Sequence, residues 1–305
     1  MGLDTVLMGQ SRTPSSNVAG ILARHGVTGY SQSVGWSTVE RSEGVYDFST
    51  FDAALRLAQD AKVSFQPRVR AGAATPEFHI GRAFVPTSGV PAGKTVPVPV
   101  NEDGTSNQEW LTGYAGLCRA LDDWAFANLD DTRDGPIHRT WFGGGSAEIY
   151  VSDQMLALPG VTLEAVTRAY LANLQVAAAP SPFPVELPIS GLEAGDNLRA
   201  IQGAIQPAMA KLDAARAGFW TQRNGFADGT TSGVWGGPTP PPHGLQMVKA
   251  YRPDGSAFNW SQVYAKAARS FSVMPAGMRG YLEVYEQSFT GAGAPQLLAQ
   301  AAAAV

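Results

Sequence analysis

Eight short apolar runs, each separated from the next by a longer segment, constrain the fold of this chain more than any other feature. The candidate strands are Thr5 to Met8, Thr28 to Val34, Val63 to Val69, Ile137 to Phe142, Val185 to Ile189, Gly218 to Arg223, Leu245 to Ala250 and Gly280 to Tyr285. Helical spacing marks Asn17 to His25, Phe51 to Ala61, Asn107 to Asn128, Leu163 to Ala178, Leu198 to Ala217 and Trp260 to Met274, and the alanine-rich Pro295 to Val305 can form a last helix. Strands alternating with helices point to an α/β fold with a parallel sheet, because a parallel return needs a crossover that is usually helical. The 305 residues, 44% hydrophobic, suffice for one barrel domain spanning residues 1–305, since α/β barrels take roughly 250 residues as a single unit. Two smaller domains also fit that length.

Composition narrows the function classes. A formal charge of -4 and a pI near 5.6, with no polybasic run, argue against nucleic-acid binding. The apolar runs are too short to insert in a membrane, and the first residues, Met1 to Arg12, do not read as a secretory signal. Cys118 is the single cysteine, so no intrachain disulfide forms; with Leu117 and Leu121 beside it, it reads as a small core residue. The four histidines show no metal-ligand spacing, and no phosphate loop, dinucleotide fingerprint or nucleophile elbow is present. We therefore expect neither a metal nor a cofactor.

Two connections are too long for plain βα loops and are where a barrel builds its site. One runs from Ala71 to Ser106 and includes the proline-alternating Thr95 to Val100, which cannot be a central strand; the other runs from Asn224 to Gly244 and carries Trp235 ahead of four prolines. Trp235 either faces a flat ligand or packs over the barrel mouth. Glu148 follows three glycines just past the fourth strand; it either lines the site or caps a helix. Side-chain alternation in the eighth strand turns Tyr281, Glu283 and Tyr285 inward, and in the third and sixth strands Gln66, Arg68, Arg70, Trp220, Gln222 and Asn224. A buried acid needs a partner, and Arg68 or Arg70 is the natural one for Glu283. The stripe Trp110, Tyr114, Leu117, Leu121 and Trp124 reads as core packing.

The segment Trp36, Glu40, Gly44, Tyr46, Asp47 and Phe48, followed by Asp52, joins a strand end to a helix that Ser49 or Thr50 can cap. This segment resembles the second βα connection of the (β/α)8 TIM-barrel glycoside hydrolases that include β-galactosidases and cellulases. Arg68, Arg70, Thr75, Pro76 and Phe78 resemble the third-strand end of the same clan. The resemblance implies a saccharide cleft, with Glu148 as acid/base, Glu283 as its carboxylate partner and Trp36 and Trp235 stacking on sugar rings. Arg68, Arg70, Gln222, Asn224, Gln246 and Tyr285 would bind hydroxyls. The chain departs from the clan pattern at Ala147, where an Asn is usual before the acid, and in Leu245 to Ala250, which carries no Glu. The chain also resembles minor tail proteins of actinobacterial phages, and its 17 arginines against 5 lysines suit a high-GC coding sequence. That setting implies a virion protein, with host envelope polysaccharide and other tail proteins as partners; a structural tail component and a free bacterial glycosidase, cytoplasmic for want of a signal, are the alternatives.

Overall fold

The computed structural model describes residues 4–10, 12–24, 26–87, 92–142, 153–179, 181–189, 196–215, 219–223, 244–247, 262–265, 267 and 280–290. All eight expected strands are present: β1 (Asp4–Gly9), β2 (Gly29–Gly35), β3 (Ser64–Arg70), β4 (Ile137–Arg139), β5 (Val185–Ile189), β6 (Phe219–Arg223), β7 (Gly244–Met247) and β8 (Tyr281–Tyr285). Each pairs in parallel with its sequence neighbour, and β8 pairs with β1, so the sheet closes into a barrel. Closure leaves no edge of unpaired backbone groups.

Among the described helices, α1 (Val18–Leu22), α2 (Ser49–Ala61), α3 (Gln108–Asn128), α4 (Leu163–Ala177) and α5 (Asp196–Ala215) follow β1, β2, β3, β4 and β5, and α6 (Glu286–Thr290) follows β8 directly. Strand residues Leu7, Tyr30, Val34, Phe65, Val69, Leu187, Leu245, Leu282 and Val284 belong to one apolar cluster with Phe51, Leu55, Tyr114, Leu117, Val166 and Ile201 from the helices. Burial of that cluster between sheet and helices is the main term holding the fold together.

The start of α2 differs from expectation. Neither Ser49 nor Thr50 caps it: Phe48 precedes the first turn without a side-chain cap, and the Asp47 carboxylate accepts the Ser49 N–H at 2.9 Å. The Thr95 to Val100 stretch contributes Val96–Pro97 to a two-stranded antiparallel ribbon with Ala83–Phe84, a place where a proline costs no central ladder bond. Asn107 fastens this excursion to α3. Its side chain accepts the Trp110 N–H at 3.2 Å while its amide donates to Ile80 O at 2.8 Å and Val98 O at 3.0 Å. The stripe on α3 is core, with Trp110, Tyr114, Leu117 and Leu121 buried and Trp124 partly so; Cys118 is buried, and that burial pushes its thiol pKa up.

Candidate functional site

Strand alternation decides what the barrel encloses. Register pairs Arg68, His138, Glu186 and Trp220 across four successive strands, and Gln246, Glu283 and Val6 across three. Barrels of this kind ordinarily stack branched aliphatics inside. Here the interior is polar: Ser31, Ser33, Gln66, Arg68, His138, Glu186, Tyr281 and Glu283 are all buried.

Two of the bonds, Arg68 to Glu283 and Tyr281 to Glu186, join strands that do not touch in the sheet, which fixes those groups as interior. Arg68 Nη1 donates to Glu283 Oε2 at 3.1 Å, joining β3 to β8. Tyr281 donates to Glu186, joining β8 to β5, and burial with Glu186 beside it drives the Tyr281 pKa far up. His138 Nδ1 lies 2.6 Å from Glu186 Oε2, and its Nε2 faces Gln66 Oε1 at 2.9 Å. Arg68 Nη2 also lies 3.1 Å from His138 Nδ1. The expected Arg68 to Glu283 pair is therefore present. Glu186 and His138 complete it and were not anticipated, although Val185-Glu186-Leu187 and Ile137-His138-Arg139 carry the same alternation that placed Glu283 inside.

Several expected ligand contacts are placed differently. Trp36, expected to stack on a sugar, is 0% exposed. His79 stacks on its ring at 5.2 Å, with Trp110 and Tyr114 at its sides. Arg68 is 1% exposed and engaged by Glu283, so it holds the interior together rather than meeting a hydroxyl. Glu283, expected as the second catalytic acid, is 0% exposed and is the counter-ion of Arg68. Tyr285 is 7% exposed at the end of β8, near Arg70. Arg70 ends β3 half-buried, opposite Gly35 on β2. Gln222 and Gln246 lie on β6 and β7, their side chains outside what is described, and Glu148, Asn224 and Trp235 lie outside the described residues.

The Trp36 to Asp52 segment converges on one carboxylate. Glu40, 1% exposed, accepts from Trp36 Nε1 at 2.5 Å and from the Gly44 N–H at 2.8 Å, and contacts His79 Nε2 at 2.9 Å. Tyr46 stands beside it, and burial followed by the Glu40 charge drives the Tyr46 pKa up. Gly44 turns at φ +73°, the left-handed region glycine enters without cost. Asp52 accepts from Trp124 Nε1 at 2.9 Å, and Thr75 accepts from Trp110 Nε1 at 3.0 Å. Beside this hub lies a groove of about 560 Å³, bordered by Glu43, Tyr46, Phe78 and Glu109 and floored by Gly113 and Gly116 of α3. A Cβ at Gly113 would stand 2.5 Å from the His79 ring, so the bare helix face is what admits that ring.

With that geometry in view, a scan against protein-family models gives no match, and neither does a search of the curated proteins. Among solved structures, the chain is similar to a family 10 endo-β-1,4-xylanase from Gloeophyllum trabeum at 8% identity and TM-score 0.49, covering 93% of this chain and 84% of that one. It is similar to a β-galactosidase from the haloarchaeon Halorubrum lacusprofundi at 14% identity and TM-score 0.48, covering 100% of this chain and 57% of that one. Xylanase B from Clostridium stercorarium F9 gives 10% identity and TM-score 0.41, covering 93% and 85%.

The described residues contain no group of three or more His, Cys, Asp or Glu able to hold a metal ion, and no helix long and apolar enough to cross a membrane. What the barrel offers chemically is a set of fixed donors and acceptors in a low-dielectric enclosure, where hydrogen bonds are strong and unpaired groups costly.

Proposed function

We propose that this chain is a glycoside-hydrolase-like (β/α)8 barrel that binds polysaccharide of a host cell envelope at the C-terminal ends of its strands, as a minor component of a phage tail. The observation that carries the reading is the polar barrel interior, where Arg68, His138, Glu186, Tyr281 and Glu283 hold one another in place beneath Arg70 and Tyr285. Polar groups of fixed direction suit a hydroxyl-rich ligand, which is recognised by hydrogen-bond geometry. The residue patterns Trp36 to Asp52 and Arg68 to Phe78, which resemble those of saccharide-cleaving barrels, support sugar over other polar ligands. In this proposal Gln222, Asn224, Trp235 and Gln246 complete the mouth, and other tail proteins are its protein partners.

Binding without turnover is the primary form of the proposal. A carboxylate that attacks a sugar or activates water must reach the glycosidic carbon, and Glu283 is fully enclosed and committed to Arg68. The test is to titrate the purified chain with envelope polysaccharides of actinobacterial hosts while measuring released reducing ends, for the natural sequence and Glu148→Gln. Saturable binding by both, with no new reducing ends, is the expected result. Absence of binding to every such polysaccharide would overturn the saccharide reading. Reducing ends that disappear in Glu148→Gln would instead establish hydrolysis.

A further inference from the structure

Arg68 and Arg70 are consecutive inward residues of β3, yet their surroundings are opposite. Arg68 is neutralised by Glu283 at 3.1 Å. Arg70 stands one row nearer the strand ends, and its register partner on β2 is Gly35, which has no side chain to cover it. Among the described residues no acceptor meets it: its Nε is buried without a hydrogen-bond partner, and no carboxylate forms an ion pair with it. Burial, followed by the positive charge of Arg68 behind it, lowers its pKa. A half-buried guanidinium with a second cation behind it and no counter-ion among the described residues is costly to keep.

We propose that Arg70 is the anchor for a carboxylate-bearing sugar, so that the polysaccharide taken at this mouth is acidic, of the uronic acid class. The inference rests on the saccharide reading above and adds to it the charge of the ligand. The guanidinium fork matches a planar carboxylate with two parallel N–H···O bonds, a geometry that neutral hydroxyls do not complete. The ligand then supplies the negative charge that Glu283 supplies to Arg68 one row below. On a chain with a net charge of -4, such selection depends on this local cation and not on the protein's overall field.

The experiment is calorimetric titration of the full chain with a glucuronate-containing oligosaccharide and with the same oligosaccharide after reduction of its carboxyls, for the natural sequence, Arg70→Gln and Arg70→Lys. Thermal unfolding of each variant verifies that it is folded. We expect the acidic form to bind about tenfold or more tighter than the reduced form, as a charge-assisted pair requires. Arg70→Gln should erase that preference while keeping the weak neutral binding, and Arg70→Lys should restore only part of it. Equal affinity of the natural protein for both forms, or a preference that survives in Arg70→Gln, would overturn the role of Arg70 and leave the saccharide reading standing. No binding of either form would remove the saccharide reading, and this inference with it.

Discussion

Arg68 and Glu283, 215 residues apart in sequence, meet inside the barrel at 3.1 Å with side chains 1% and 0% exposed. The pair ties the third strand to the last and places both charges where water cannot compensate for the loss of either.

Removing one partner leaves the other charge buried and alone. Glu283→Gln and Arg68→Met are each expected to lower the unfolding free energy by about 3–5 kcal/mol. The double substitution should lose clearly less than the sum, since no lone charge from the pair remains. Urea unfolding of the three variants measures this, and additive losses would show that the pair is not coupled.

The Glu40 hub makes a second expectation. Glu40→Gln replaces an acceptor serving Trp36, Gly44 and His79 with an amide that presents hydrogens of its own. One stranded donor in a buried site costs about 1–3 kcal/mol. A blue or red shift in tryptophan fluorescence should accompany the loss, because the Trp36 ring is held by this contact. Glu43→Gln, at an exposed neighbour, should change stability by no more than about 0.5 kcal/mol; equal effects at the two positions would contradict the hub.

Two helical glycines should respond with opposite signs to alanine. At Gly203 on α5 a Cβ meets nothing within 4 Å, so Gly203→Ala should stabilise by about 1 kcal/mol through helix propensity alone. At Gly113 the Cβ falls 2.5 Å from His79, and overpacking of about 1–3 kcal/mol outweighs that gain. Thermal unfolding of both variants reads the signs directly.

Alkaline pH should unfold the protein through its tyrosines. Burial raises the pKa of Tyr30, Tyr114, Tyr264 and Tyr281 above the ordinary 10.0, with Glu286 adding to the shift at Tyr30 and Glu186 at Tyr281. A group whose pKa is raised by folding favours the protonated native state. Its contribution is fully present below pH 10.0 and is lost as pH rises through the higher folded-state value. The melting temperature should therefore fall steadily above pH 10.0, and the tyrosinate absorbance of these residues should appear together with unfolding. Ionisation of all nine tyrosines near pH 10.0 in a folded chain would contradict their burial.

The strands were legible because most of their outward residues are apolar and the barrel buries both faces; β4 is an exception, since its outward Arg139 is buried against Asp122 of α3. The same alternation put Glu283 inside and offered Arg68 as its partner. It would have placed Glu186 and His138 there too, had each lone polar residue in an apolar run been given a direction. The orientation of Trp36 was not legible, since a tryptophan beside a strand end has the same residue type whether it faces a ligand or a histidine. The start of α2 was missed because Asp47 serves the first turn from outside the capping position. The mouth carries its information in long connections, where spacing imposes no period.

The Glu40 hub changes what its own motif signifies. Trp36 and Gly44 stand four residues on either side of Glu40, the spacing at which a single carboxylate reaches both, a constraint that would hold in any barrel closing this loop in the same way. The pattern thus works as a clasp whose grip is indifferent to the chemistry at the mouth.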